Sequence, residues 1–250
     1  MNKQIKNKLI KIILTIVFAV VLLFVIGILV LKYQVEGETN LPFKISKITI
    51  VSSSEGIENA DGQNKWNINI NQNNDIYLYI DKNESYGRTE IIESVIIDNF
   101  QIESESNEGE NHIYTPEQNA TQLFKNTEEN LANEILIKGE LQTNLKKHEI
   151  SNQGGLLAFR YSKDNLGNYI SNDEDEINFN NLLSKIQISN EELKASLTFD
   201  ITIKLVNKTA YKSSVTVDLP VGDIINNETQ SVEITDLQEV VFKRVVTSQS

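Results

Sequence analysis

From Ile12 to Leu31 the chain carries 20 residues without a charge, and only Thr15 and Gly27 interrupt the apolar run. At about 1.5 Å of rise per residue, a helix of that length covers roughly 30 Å, the hydrocarbon thickness of a bilayer. It would be apolar on every face, which a helix lying half-buried on a water-soluble core is not. A cleaved secretion signal has a shorter apolar core of about 7–15 residues, followed by small residues at the cleavage point. Here the run closes on Leu29, Val30, Leu31 and Lys32. The segment is therefore expected to remain as a transmembrane anchor. Thr15, Ala19 and Gly27 share one of its faces, a small-residue surface of the kind on which membrane helices pair.

Orientation follows from charge. Lys3, Lys6, Lys8 and Lys11 precede the span, and the first acid is Glu36. Lysines stay on the cytoplasmic side. The expected arrangement is a single-pass protein of the cell membrane: a basic cytoplasmic tail over 1–11, a span over 12–31, a tether over 32–42 and an extracytoplasmic domain over 43–250. The tether from Tyr33 to Leu41, even fully extended, reaches at most about 30 Å. The domain is thus expected to meet partners in or just above the bilayer.

All 35 acids lie beyond Lys32, with 18 of the 23 bases, so this outer part has a net charge near −17. Nucleic-acid binding rests on basic patches, and this balance argues against it. It also argues against lying flat on anionic lipid. A bound cation, a basic partner or plain solubility remain. With no cysteine in the chain, there is no disulfide, no cysteine nucleophile and no thiolate zinc site, and the core alone must hold the domain.

The outer part is patterned as strands. Phe43 and Ile45 share one parity and Ile48 and Ile50 the other, so a bulge near Ser46–Lys47 points all four inward. Ser52 to Lys65 is expected as a loop. Trp66–Ile70 and Ile76–Ile80 each alternate, and Gln72–Asn73–Asn74 between them suggests a hairpin. A strand lies within Ile91–Ile102, and an acidic excursion over about 103–133 is expected as a long or flexible loop. Glu134–Leu141 and Leu157–Tyr161 are further strands, with turn chemistry over 163–167. Ser189 and Glu192 form a capping box. Leu197–Leu205 and Tyr211–Leu219 alternate cleanly as an antiparallel hairpin ended by Pro220. Val232–Ile234 and Val240–Val246 supply the last strands. Ten to twelve short strands make the fold class all-β: an antiparallel β-sandwich, Ig-like in style, behind an N-terminal transmembrane helix.

The stretches KYQVEGETNLPFKISKITIVSSSEGI, WNININQNNDIYLYI, NQGGLLAFRYSKDNLGNYISND and DLPVGDI with VVFKR resemble a family of single-span, membrane-anchored extracytoplasmic proteins of Gram-positive-type bacteria. The resemblance extends over nearly the whole chain. It implies the same topology and an extracytoplasmic β domain, and it brings no activity, ligand or site residue with it.

Chemistry is sparse. The two histidines, His112 and His148, have no metal spacing. HExxH, the Gly-x-Ser-x-Gly elbow and a Gly-rich phosphate loop are all missing. Catalysis would need a Ser–His–Asp set or two carboxylates brought together by the fold. The densest acidic run, Asp173–Glu174–Asp175–Glu176, is the candidate for calcium, which takes six to eight oxygens; a solvated loop is the alternative. Tyr77 and Tyr79, opposite Ile76, Leu78 and Ile80, are candidates for a sugar-stacking platform if their face is open; packing under a loop or the second sheet is the alternative. The expected function is a non-catalytic adaptor or accessory subunit whose partner is another membrane or envelope protein. A ligand-binding module for envelope polysaccharide or calcium comes second, and a hydrolase third.

Overall fold

The computed structural model describes residues 3–59, 66–104, 106–117, 122–141, 145–171 and 181–245. The chain forms two compact units, Met1–Thr39 and Asn40–Ser250.

The first unit is one helix, α1 (Lys3–Glu36), of 34 residues. Its segment Lys11–Glu36 is long and apolar enough to cross a membrane, and Ile12 and Leu31 lie within it, both exposed. Thr15 Oγ1 donates to the Lys11 carbonyl at 2.9 Å, which satisfies the one hydroxyl of the apolar run inside the helix. The helix continues past the expected end at Leu31, so Lys32–Glu36 is helical rather than tether. Gly37 ends it: φ is +66°, and its N–H bonds the Tyr33 carbonyl at 2.9 Å.

Among the described residues, the second unit has eleven strands in two sheets. Sheet one runs in the order β10 (Thr229–Ile234), β1 (Phe43–Asn59), β2 (Trp66–Lys82), β7 (Gly155–Ser171), β4 (Glu110–Tyr114). Sheet two runs β11 (Lys243–Val245), β9 (Ala210–Leu219), β8 (Ala195–Leu205), β3 (Ile92–Ser104), β5 (Ile135–Glu140), β6 (Glu149–Ser151). Every pairing is antiparallel except β5 with β6. The inward-facing side chains of both sheets form one apolar core, with Phe159 of sheet one edge-on to Phe199 of sheet two at 5.1 Å. The all-β sandwich is as expected from the alternation.

Local expectations fare unevenly. The bulge in β1 falls between Ile45 and Lys47. The β8–β9 hairpin pairs from Ala195↔Leu219 to Lys204↔Ala210. Ser189 and Glu192 form the reciprocal capping box. Three expected turns, however, are strand. β1 continues to Asn59, pairing Ser52–Asn59 with Asn67–Asn74, where a loop was expected. β2 is a single strand of 17 residues, and Gln72–Asn74 lie in its middle instead of turning. β7 runs through 163–167: Ile70 faces Gly167 and Gln72 faces Lys163, so Asp164–Leu166 bulge opposite Asn71. Asn165 takes φ +57° there, which asparagine tolerates. The acidic excursion likewise contains strand, with β4 pairing to β7, and Phe124 is buried.

A second apolar cluster sits at the far end of β2. Ile68, Ile70 and Leu166 pack there against Leu182, Leu183, Leu193 and Ile224. These come from the short helices α2 (Leu182–Lys185), α3 (Asn190–Leu193) and α4 (Ile224–Asn227) and not from the strands of sheet two.

Candidate functional site

The structure treats the expected site residues differently. Asp173, Glu174, Asp175 and Glu176 lie outside the described residues. Elsewhere, among the described residues, no three His, Asp or Glu side chains are grouped to hold a metal ion. Tyr77 and Tyr79 occupy the outer face of sheet one and are half-buried. The second sheet does not cover them, because that sheet packs against Ile76, Leu78 and Ile80 on the opposite face. Thr49 and Ala158 flank Tyr77. The Lys47 ammonium stands over the Tyr79 ring at 4.4 Å and is itself tied to Glu233 at 2.8 Å.

Farther along the same face, four strands and a loop converge on a polar cluster. Arg160, Ser162 and Asp164 alternate along β7 onto one face, so Arg160 and Ser162 meet their lateral neighbours Asp75 and Asn73 of β2 and Tyr114 and His112 of β4. Arg160 grips Asp75 with two bonds, 2.6 and 3.1 Å. Its third nitrogen donates to Asn126 Oδ1 at 3.0 Å, and its plane lies over Phe124 at 5.0 Å. Asn126 in turn donates to Asn73, Ser162 and Asp164 at 3.0, 3.0 and 2.9 Å. Asn73 donates to Glu55 at 2.6 Å. The excursion is thereby pinned to the sheet.

Asp164 is the hub. It is only 6% exposed. One oxygen lies 2.6 Å from Ser162 Oγ; the other accepts from Tyr114 OH at 2.6 Å and lies 2.9 Å from His112 Nδ1. Burial, then the bond to Asp164, pushes the Tyr114 hydroxyl far above its ordinary pKa, so it serves as a permanent donor. A serine, a histidine and an aspartate do meet here. The carboxylate stands between the other two, whereas a nucleophilic triad has the imidazole between serine and carboxylate. Ser162 is fully buried. What this geometry does is fasten a loop. Alternation along Leu157–Tyr161 puts Arg160 off the core but does not reveal its partners; the signal for them is the polar i, i+2, i+4 set Arg160, Ser162, Asp164.

A cleft of about 500 Å³ beside β9 is lined by Ile48, Val215, Val217, Ile234, Leu237 and Val240, with polar Ser214, Thr216 and Gln238 and the acids Asp236 and Glu239. β11 pairs only with Ala210–Lys212. Among the described residues, no strand lies on that side of Ser213–Leu219. Alternate N–H and C=O groups there point away from β8, with no strand partner among the described residues.

No protein-family model, curated protein or solved structure matches the chain.

Proposed function

We propose that the protein is a non-catalytic, membrane-anchored interaction module, with its N-terminus in the cytoplasm and its sandwich outside. It holds a binding surface close to the bilayer for another membrane or envelope protein. The observation that carries this reading is the brevity of the link. The apolar helix ends at Glu36 and β1 begins at Phe43; the six residues between them reach about 20 Å at most. The cleft beside β9 supplies what an extended segment of a partner requires: backbone groups on a strand edge with no strand partner among the described residues, and apolar pockets beside them. The resemblance to single-span extracytoplasmic proteins favours the same topology.

The chain lacks cysteine, so single cysteines test the topology cleanly. In intact cells, an impermeant maleimide is expected to label Asn226→Cys and to spare Lys8→Cys. The reverse pattern would overturn the orientation. A photo-cross-linking residue at Thr216, in the cleft, is expected to give a discrete adduct in native membranes. The same group at Asn168, exposed on β7, is expected to give none. Equal behaviour at both positions would remove the cleft from the reading.

A further inference from the structure

We infer that the end of the sandwich by which the chain enters is a lipid-binding surface that docks on anionic headgroups of the same bilayer; this rests on the anchor reading above. Loops from both sheets form one continuous floor at that end. Asn83 bonds the carbonyls of Leu41 and Pro42, each at 2.8 Å, where the chain arrives. Ile92 N–H bonds Asn152, and Asn152 N–H bonds Glu140, at 3.0 and 2.9 Å. Val206 N–H bonds Ile91 at 3.0 Å, and Asn207 bonds the Glu90 side chain at 2.7 Å.

This floor has the two attributes of a surface that binds membranes peripherally. Apolar side chains stand out from separate loops: Leu141 is 84% exposed, Val206 54%, Leu145 40% and Ile91 38%. Basic side chains surround them. Lys44, Arg88 and Lys146 are exposed and Lys82 is half-exposed, and none of these four has a side-chain bond or ion pair among the described residues. Of the acids nearby, Glu93 is paired with Lys208, and Glu90 is bonded by the Asn207 amide, which brings no balancing charge; Asp81, Glu84 and Glu140 also lie among the bases. Leucine tips ringed by lysine match an interface of acyl chains beneath anionic headgroups.

The domain's net negative charge opposes this less than its sum suggests, because on the outer face of sheet two the acids lie away from the entry end. On the outer face of sheet two the rows read, from the entry end, Lys138 and Lys204 flanking Ser94; then Thr202 beside Lys212; then Asp98 beside Asp200; and finally Glu103 beside Ser196 and Asp218. The second and third rows each lie two residues, about 6.6 Å, beyond the one before, and the final row lies four residues, about 13 Å, beyond the third. The last rows therefore stand more than one Debye length, about 8–10 Å, from the first. A headgroup at the entry end meets Lys138 and Lys204 of this face, while Asp98, Asp200, Glu103 and Asp218 are screened from it. The expectation from composition, that the outer part avoids anionic lipid, is thus reversed at this one end.

The test uses the full-length chain in lipid vesicles, with a polarity-sensitive fluorophore on Leu141→Cys and, as the far-end control, on Asn226→Cys. With phosphatidylglycerol present, the Leu141 label is expected to shift to the blue and to be quenched by spin-labelled acyl chains. In phosphatidylcholine alone both effects are expected to shrink, and the Asn226 label is expected to respond in neither lipid. Reversing charge at Lys82, Arg88 and Lys146 (Lys82→Glu, Arg88→Glu, Lys146→Glu) should lower docking by at least about fivefold per residue. An unshifted, unquenched Leu141 label in a chain that resists alkaline carbonate extraction would overturn the inference alone. Release by carbonate would overturn the anchor and this inference with it. A shift seen in native membranes but not in lipid vesicles would assign that end to a protein partner, and would overturn lipid docking.

Discussion

One strand, β2, crosses two interiors built in different ways. Its second half, Ile76, Leu78 and Ile80, contributes to a core closed by a facing sheet. Its first half, Ile68 and Ile70, contributes to a core closed by three short helices. Between them Asn71, Gln72, Asn73 and Asn74 are all buried. The two interiors are held by different means. A facing sheet offers a full row of side chains at each level, so packing alone suffices. The helices α2, α3 and α4 have four residues each, too short to be stable alone. They are fastened by caps and polar bonds: Ser189 with Glu192, Asp223 with Asn226, and Lys163 Nζ to the Glu192 carbonyl at 2.6 Å.

The largest expected effect is in the first interior. Phe199 is fully buried and touches both Phe159 and Phe100. Phe199→Ala is expected to cost about 3–5 kcal/mol, read as a lower urea midpoint with protection from hydrogen exchange lost in both sheets. Leu193→Ala, in the second interior, is expected to cost about 2–3 kcal/mol. Its loss of protection should be confined to 66–72, 164–170 and the short helices. If Leu193→Ala loosens β8 and β9 as much as its own surroundings, the two interiors are one cooperative unit and the comparison fails.

The polar cluster gives the next prediction. Asp164→Asn keeps the shape but removes the charge from the acceptor of Tyr114, and one of its two acceptor oxygens becomes a donor. The expected cost is about 2 kcal/mol, with fast exchange appearing over Phe124–Leu131, since Asn126 is held by the same carboxylate. Unchanged protection of that segment would show that Arg160 and Phe124 hold it unaided.

What the sequence made legible was whatever one face decides. The apolar helix, the β8–β9 hairpin, the β1 bulge and the capping box each follow from periodicity or local hydrogen bonding, and each is present. What it hid was polar strand. Asn71–Gln72–Asn73–Asn74 has the composition of a turn because isolated asparagines satisfy themselves locally. Here Asn73 and Asn74 are satisfied by partners 18 to 89 residues away, in Glu55, Ser52 and Ser162. Long-range partners leave no mark in a window of ten residues. The same holds for the cluster around Asp164, of which only the alternation of Arg160, Ser162 and Asp164 was visible.

Gln72 marks the weak point of this seam. It is fully buried, and neither amide atom finds a hydrogen-bond partner among the described residues. A buried amide in that state costs more than an apolar chain of the same length. Gln72→Met is therefore expected to raise stability by about 1 kcal/mol, seen as a higher urea midpoint with unchanged slope. A loss of stability would show that the amide is bonded in solution and that the seam is fully satisfied.

The smallest expected effect separates the two kinds of charge on sheet two. Asp200 pairs laterally with Asp98, a like-charge neighbour, yet it is only 7% exposed. Burial works to raise its pKa, but bonds from Lys212 at 2.8 Å, from Ser214, and from Asn99 at 3.0 Å outweigh burial and hold it below the ordinary aspartate value. A carboxyl whose pKa is depressed on folding contributes stability that is fully present above its unfolded pKa, about 3.9, and is lost as the pH falls through the folded value. Asp200→Asn should therefore cost about 1 kcal/mol or less at neutral pH and nothing once the wild-type carboxyl is protonated. Urea midpoints of the two chains, compared at pH 7 and again on the acid limb, are expected to converge. Parallel midpoints would mean that the geometry of the three bonds, and not the charge, holds Asp200.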